Sequence, residues 1–356
     1  MKKLLVILLS MALAISCFAA CGDTAGNDPD TTEATQSESG DEADVTEAQD
    51  SEDVEEPEFT PVDIEIASLK GPTTMGMVKL MDDSDNGLTE GSYNVGIYGT
   101  ADEIVPLIVS GEVDIANVPC NLASVLYNKP DVNVSVLNIN TLGVLYVLET
   151  SDSINTVEDL KGKTIYSTGK GTTPEYVLNY ILESNGIDPA TDVTIEYKSE
   201  ATEVAAMLAS ATDAVAVLPQ PYVTVAMNNN ESIRIALDLT EEWEKIDGTQ
   251  LVTGVTIVRN ELLEENPEAV AKFMEEYAES VEYVNANNDE AAALVGKYDI
   301  VAEGVAKKAL PYCNIVSITG EDMKASVEAY LNVLYGSNPN SVGGALPDED
   351  FYYIAE

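Results

Sequence analysis

The chain of 356 residues carries 63 Asp and Glu against 17 Lys and Arg, and its formal net charge is −46. So acidic a chain offers no basic stripe for neutralising phosphates, and we expect no nucleic-acid partner. It also contains no histidine, which removes His-based triads, His general bases and His metal ligands together.

Residues 1–20 are predicted to be a lipoprotein signal peptide. The apolar run from Leu4 to Ile15 is too short to span a bilayer of ~30 Å, and small residues follow it. The pattern resembles a bacterial lipobox in which Cys21 becomes the lipidated N-terminus. Phe18 departs from the leucine usual at that place, and Cys17 is a rival lipidation site. An ordinary secreted protein cleaved nearby is the alternative.

Residues 21–61 form an acidic segment, rich in Asp, Glu, Ser and Thr, with no Lys or Arg. Such a segment cannot bury enough apolar surface to offset the entropy lost on ordering. We therefore expect a disordered tether that holds the body, from Val62 onwards, clear of a membrane.

The body begins with the alternating run Val62, Ile64, Ile66, which predicts a buried strand. The loop Lys70–Gly76 follows, and then the start of an amphipathic helix at Met77. A Gly/Pro/Thr turn between a strand and a helix leaves free backbone N–H groups at the carboxyl edge of a sheet. Open α/β sheets bind small polar ligands at that edge.

A second copy of this loop, Lys170-Gly171-Thr172-Thr173, follows the strand Thr164–Ser167 about one hundred residues later. The similarity continues downstream in five further pairs, namely Ala101/Ala201, Glu103/Glu203, Ser110/Ser210, Asp114/Asp213 and Pro119/Pro219. Such internal similarity predicts two copies of one supersecondary unit. Chance similarity between two βα units is the alternative. Two copies would give two lobes whose loops face a common cleft.

Strand and helix patterns alternate along the rest of the body, which predicts mostly parallel sheets. Strands are expected at 93–98, 113–116, 134–139, 144–148, 164–166, 193–197, 214–218, 233–237 and 251–258. We assign 62–149 plus 249–356 to lobe 1 and 150–248 to lobe 2. Trp243, among glutamates, is expected on the surface beside a hinge, and Cys120 and Cys313 as buried free thiols.

The passage Ser153 to Ile165 contains, at Ile154 to Lys163, the I-x-[ST]-x-x-D-L-K-G-K part of a motif written S-x-I-x-[ST]-x-x-D-L-K-G-K, with Asp152 where the motif has serine. On this motif, the helix end Leu178–Gly186 and the return Leu251–Pro267, the chain resembles an ABC-transporter substrate-binding lipoprotein of the nitrate/taurine/sulfonate and thiamine-precursor group. The resemblance implies an α/β, two-lobed, type II periplasmic-binding-protein-like fold with a hinged interlobe cleft. It also implies two hinge crossings, here near Leu148–Ser151 and Ile246–Val252.

The predicted ligand site collects polar loop residues from both lobes. The candidates are Lys70, Gly71, Pro72, Thr73, Thr74, Gly99, Thr100, Asn117, Asn121, Asn140 and Thr141 from lobe 1, and Gly171, Thr172, Thr173, Gln220 and Tyr222 from lobe 2. The alternatives are that the threonines cap helices, that the amides belong to turns and that the tyrosine packs between lobes.

The body's only arginines, Arg234 and Arg259, lie outside the predicted cleft loops, so no guanidinium fork for sulfonate or nitrate is evident. This favours a vitamin-like heterocycle or an amine, with a sulfonate or nitrate-type oxyanion as the alternative ligand. We expect no cofactor and no metal.

The resemblance implies a monomer that delivers its ligand to an ABC permease from an extracytoplasmic position, anchored to the cell membrane by lipid. We do not expect an enzyme, because no G-x-S-x-G elbow or complete P-loop is present and no carboxylate pair lies both in suitable loops and in an apolar setting. Catalysis by carboxylates alone, as in glycosidases, is the alternative. A surface adhesion or signalling lipoprotein without transport is the alternative of another class.

Overall fold

The computed structural model describes residues 59–355, so the predicted signal peptide, Cys21 and residues 21–58 of the predicted tether lie outside the described residues. The strands of the described part are β1 Asp63–Leu69, β2 Ser92–Tyr98, β3 Ile115–Pro119, β4 Val134–Leu142, β5 Leu145–Glu149, β6 Thr164–Ser167, β7 Thr194–Tyr197, β8 Val215–Pro219, β9 Arg234–Asp238, β10 Val252–Arg259 and β11 Ile315–Ile318. Its α-helices are α1 Pro72–Met75, α2 Val78–Asp85, α3 Ala101–Ser110, α4 Cys120–Tyr127, α5 Thr173–Ser184, α6 Ala201–Ser210, α7 Tyr222–Asn229, α8 Leu239–Asp247, α9 Asn260–Glu265, α10 Pro267–Ala286, α11 Asn288–Lys297, α12 Glu303–Ala309 and α13 Gly320–Ser337.

The strands form two sheets of matching order. The six-stranded sheet runs β11-β4-β10-β3-β1-β2, and the five-stranded sheet runs β7-β6-β8-β5-β9. In each, the strand that precedes a Lys-Gly loop, β1 or β6, lies between two parallel neighbours. The next strand inward is antiparallel, β10 in one sheet and β5 in the other. The two sheets therefore repeat one topology, as the internal sequence similarity predicts.

The expected α/β two-lobed fold is confirmed, but its sheets are mixed rather than mostly parallel. Parallel pairing is confined to β1–β3 and β6–β8, and the other pairs are antiparallel. The reason is that the strands that enter each sheet from the other one, β5 and β10, run antiparallel to their neighbours β8 and β3.

Strand β5 lies in the five-stranded sheet, between β8 and β9. The chain therefore first crosses between the sheets at residues 142–145, and not near Leu148–Ser151. It returns between α8 and β10, within the predicted Ile246–Val252. We propose to divide the described body accordingly into lobe 1, residues 62–142 and 252–355, and lobe 2, residues 145–247.

Local sequence explains how the loops at the sheet edges are held. Strand β1 buries Ile64 and Ile66, as its alternation predicts. The predicted capping box closes the start of α3, where the Glu103 carboxylate accepts hydrogen bonds from the backbone N–H (2.9 Å) and the hydroxyl (3.1 Å) of Thr100. Helix α3 is thereby fixed at the end of β2.

Trp243 is fully buried, which corrects its expected surface position. Its ring lies 4.8 Å from that of Tyr180 on α5 and 5.5 Å from that of Tyr330 on α13, centroid to centroid. The glutamates beside it occupy the other faces of α8, as is usual for a short amphipathic helix. Trp243 therefore packs between a helix of lobe 2 and a helix of lobe 1.

Cys120 and Cys313 are buried and free, as expected. Burial raises the pKa of the Cys313 thiol to about 12, so the thiol stays protonated at neutral pH.

Candidate functional site: a cleft between two sheets

A cavity of about 490 Å³ lies between the lobes. Its walls are built at the carboxyl ends of all six parallel strands, since the loops that follow β1, β2 and β3 face those that follow β6, β7 and β8. Thr141, Val144, Leu145 and Thr253, near the two crossings, complete the lining. This is the part of an α/β sheet at which ligands bind, and the volume is that of a small organic ligand site.

Ten of the sixteen residues predicted for the site line this cavity. They are Lys70, Gly71, Pro72, Thr73, Gly99, Thr100, Thr141, Thr172, Thr173 and Tyr222. The two duplicated loops thus face the same space, although ligand contact by these residues stays a prediction. Thr73 and Thr172 also show the alternative role, because their hydroxyls donate to the carbonyls of Leu69 and Gly169, each at 2.8 Å. The two hydroxyls therefore stabilise their own turns.

Three of the predicted amides lie behind the cavity wall, in a departure from the expected site. Asn117 and Asn140 are fully buried and form a network with Thr256 of β10. The Asn117 Oδ1 atom accepts from the Thr256 hydroxyl at 2.7 Å and from the Asn140 amide at 3.3 Å. Asn121, also fully buried, donates to the carbonyls of Gly171 and Ser341. Protein groups satisfy Asn117 and Asn121, and the Asn140 side-chain N–H group donates to Asn117 and Thr256, whereas the Asn140 Oδ1 atom is buried without a hydrogen-bond partner. The three amides therefore support the wall instead of lining it.

Thr74, Gly171 and Gln220 also lie outside the cavity lining. The Thr74 hydroxyl donates to the Leu69 carbonyl. The Gln220 side chain accepts from the Thr224 hydroxyl at 2.9 Å, which fixes the start of α7. The Gly171 N–H donates to the Glu175 carboxylate. In each case a local hydrogen bond takes the polar group that a ligand would need.

Several lining residues are not among the sixteen candidates, although some of them lie in the same loops. They are Leu69, Ala101, Asp102, Pro119, Val144, Leu145, Thr168, Gly169, Lys170, Pro174, Lys198, Ser199, Glu200, Ala201, Thr202, Pro219 and Thr253. The duplication could have indicated 199–202, because these residues are the counterparts of 99–102. Thr253 carried no such signal, since a threonine in a return strand is ordinary.

The cavity wall contains three lysines, Lys70, Lys170 and Lys198, and two carboxylates, Asp102 and Glu200. Lys198 is placed 3.5 Å from the Glu196 carboxylate. Within residues 59–355, the ammonium groups of Lys70 and Lys170 form no ion pair and no hydrogen bond, and Lys170 lies over the Tyr197 ring at 5.9 Å. Lys70 and Lys170 hold corresponding positions in the two loops, so each lobe supplies one unpaired cation.

Helix N-termini add positive character to the wall, and unpaired hydroxyls add hydrogen-bonding groups. The first residues of α3, α5 and α6 line the cavity, and the N-terminus of a helix favours negative charge. The Thr141 and Thr253 hydroxyls are buried in this wall without a hydrogen-bond partner. Burial and the nearby Glu200 raise the pKa of Tyr222 to about 12, so its phenol remains a donor.

Two sheets of the same strand order, with a ligand-sized cavity between them, define a two-lobed binding protein of the periplasmic type. The chain belongs to the family described as NMT1/THI5 like, whose model matches residues 95–291, more than half of the chain. No curated sequence matches it. The resemblance to the ABC-transporter substrate-binding group is thereby confirmed.

Solved structures agree on the fold. An ABC transporter structure from Parabacteroides distasonis is 22% identical, with a TM-score of 0.68 over 82% of this chain and 99% of that chain. The alkanesulfonate-binding protein SsuA from Xanthomonas axonopodis pv. citri, bound to MOPS, is 15% identical, with a TM-score of 0.64 over 83% and 100%. A Candida albicans protein described as having the generic periplasmic binding protein fold is 14% identical, with a TM-score of 0.55 over 81% and 98%.

Two further observations concern metal ions and membranes. Within residues 59–355, no group of three or more Cys, Asp or Glu side chains is placed to hold a metal ion. Over the same range, no helix combines the length and the apolar character needed to cross a membrane.

Proposed function

We propose that this protein is the substrate-binding component of an ABC importer and that it captures a small organic molecule between its lobes. The observation that carries the proposal is the cavity itself, because both duplicated loops and all six parallel strand ends meet there. A ligand that touches both lobes at once stabilises the closed arrangement, since contacts made only when the lobes meet shift the population towards closure. Binding without catalysis is the proposed activity.

We further propose that the ligand carries an acidic group, which revises the sequence-based preference for a heterocycle or an amine. Lys70 and Lys170 support this, because in so acidic a protein two cations without carboxylate partners face one cavity. An anion placed between them would gain charge-assisted hydrogen bonds. The two lysines would supply the positive charge that an arginine would otherwise supply to an anionic ligand.

The ligand is also proposed to have an apolar body, as a sulfonate or carboxylate on an organic frame would. Pro119, Val144, Leu145, Pro219 and Tyr222 give the cavity an apolar surface larger than bare nitrate needs. The sulfonate in the Xanthomonas structure, MOPS, is such a compound.

An amine is the second candidate ligand, because Asp102 and Glu200 also line the cavity. A cationic group bound there would have to approach within reach of at least one lysine. Because Lys70 and Lys170 line the same cavity without ion pairs to other described residues, repulsion makes an amine the weaker candidate.

The proposed partners are an ABC permease and, through Cys21, a lipid anchor in the cell membrane. The acidic tether would give the body reach from that anchor. We propose an extracytoplasmic location and a monomeric protein on the same grounds.

Thermal unfolding in the presence of a compound panel tests the function. The panel contains sulfonates including MOPS, organic carboxylates, amines and thiamine-type pyrimidines. A compound at 100 times its dissociation constant should stabilise the folded protein by about 2.7 kcal/mol. We expect the acidic compounds to raise the melting temperature. If only amines raise the melting temperature, the ligand is an amine and not an acidic compound. If no compound changes the melting temperature, the adhesion or signalling alternative is favoured. Turnover of a bound compound would indicate an enzyme.

A further inference from the structure

Asn121 occupies a junction of three parts of the molecule. It lies in the first turn of α4 in lobe 1, and its side chain is fully buried. Its Nδ2 group donates to the Ser341 carbonyl of the C-terminal segment at 3.1 Å and to the Gly171 carbonyl of lobe 2 at 3.3 Å. Its Oδ1 atom accepts from the Thr173 hydroxyl of lobe 2 at 3.5 Å.

Two further side chains, Ser124 of α4 and its C-cap residue Asn128, also hold the C-terminal segment. The Ser124 hydroxyl donates to the Val342 carbonyl at 2.8 Å, and the Asn128 amide donates to the carbonyls of Val342 and Ala345 at 3.0 and 2.8 Å. The spacing places these side chains and Asn121 on one face of the helix. The C-terminal segment approaches so closely that a Cβ at Gly343 would lie 3.0 Å from the Val125 backbone. Asn121 is thus held rigidly from the lobe 1 side.

The lobe 2 side of the junction is the loop that lines the cleft. Gly171 lies between Lys170 and Thr172, and all of Lys170, Thr172 and Thr173 line the cavity. The Thr173 hydroxyl also reaches the Thr253 carbonyl of β10 at 3.4 Å, a second contact with lobe 1. The position of this loop relative to lobe 1 is therefore set by contacts between protein atoms.

We infer that Asn121 is a positioning residue, which fastens the 170–173 loop of lobe 2 to lobe 1 and so favours the closed arrangement independently of ligand. The effect of Asn121 on ligand affinity rests on the proposed function, that of a protein that binds its ligand between closed lobes. A protein whose competent closed form is more populated binds with a higher apparent affinity, in proportion to that population. The two interlobe hydrogen bonds of Asn121 are long, at 3.3 and 3.5 Å, so each falls in the lower part of the usual range of strength. Together they correspond to a shift of about tenfold in the equilibrium between open and closed forms.

Trp243 provides a native reporter of this equilibrium. It is the only tryptophan in the chain and packs between Tyr180 of lobe 2 and Tyr330 of lobe 1. Separation of the lobes would expose the indole to water and move its emission to longer wavelength. The measurement needs neither a label nor a known ligand.

The test compares the full-length protein with Asn121→Ala, Asn121→Leu and Asn128→Ala. The leucine variant keeps the side-chain volume if the alanine variant folds poorly, and Asn128→Ala removes amide bonds to the C-terminal segment without touching lobe 2. We expect both Asn121 variants to show red-shifted Trp243 emission and a larger radius of gyration without ligand. Asn128→Ala should retain the wild-type values. Circular dichroism verifies folding.

The binding arm uses MOPS as the probe. Asn121→Leu should weaken its apparent affinity about tenfold while reaching the wild-type emission at saturation. Wild-type emission and radius in the ligand-free Asn121→Leu protein would overturn the inference. If no variant binds MOPS, this sulfonate is not a ligand, and the ligand-free emission still decides the role of Asn121.

Discussion

Replacing Lys70 by glutamine would remove from the cavity wall a cation that no carboxylate of residues 59–355 engages. The side chain is half-buried at the end of β1, and the glutamine keeps its polarity and most of its volume. Because wild-type Lys70 has no ion pair to lose, the folded protein should unfold at nearly the same temperature. The effect should fall on the ligand.

The magnitude follows from the kind of contact. A hydrogen bond to a charged group contributes about 1.5–3 kcal/mol, and the lower part of that range suits a half-exposed wall. The dissociation constant for an acidic ligand should therefore rise about 10- to 30-fold. The difference between wild type and variant should shrink with added salt, since screening weakens the lost attraction.

Isothermal titration with the tightest acidic compound of the panel, at low and high salt, measures this effect. Lys129→Gln is the matched control, because within residues 59–355 Lys129 also lacks an ion pair and it does not line the cavity. The reasoning is refuted if Lys70→Gln and Lys129→Gln bind within twofold of each other at low salt.

Three further changes have expected outcomes. Burial raises the pKa of Glu149, but hydrogen bonds from the 151–154 turn outweigh it and hold that pKa at about 2 against a usual 4.5. The ionised carboxylate should therefore contribute about 3 kcal/mol to the free energy of unfolding, in full above pH 4.5 and progressively less as pH falls towards 2. Denaturant titrations of wild type and Glu149→Gln should converge in that pH window. Trp243→Ala should cost about 3–5 kcal/mol of unfolding free energy in urea titration, and a cost below 1 kcal/mol would contradict its buried packing. Gly254→Ala should lower the free energy of unfolding by about 1–3 kcal/mol and weaken ligand binding, because the added Cβ would lie 2.5 Å from Asn140 Oδ1 and 2.7 Å from Thr73 Cγ2. Unchanged ligand affinity in calorimetry would contradict this prediction.

Periodicity located the elements well because burial of one face is a local property. The alternation in β1 and the repeated Lys-Gly loops were enough to predict strands, helices and the duplication of the sheet order. Sheet membership is not local. The apolar sequence of β5 is compatible with pairing in the sheet of β4 and with pairing in the sheet of lobe 2. The prediction therefore placed the first crossing after β5, whereas it lies before β5.

The candidate site was predictable in outline and not in its amides. Asn117 and Asn121 have the same donors and acceptors whether a ligand or the protein satisfies them, and only the fold shows that Thr256 and Gly171 do so. The surface position predicted for Trp243 was wrong for a related reason. Neighbouring glutamates show that the helix has an exposed face, but they do not show on which face the indole lies.

A crystal structure of the protein grown with the tightest compound of the panel tests the central claim most directly. It should place that compound between the Thr73 and Thr172 loops, with its acidic group within hydrogen-bond distance of Lys70 or Lys170. A compound bound on an outer face, with the space between the two sheets still unoccupied, would contradict the account.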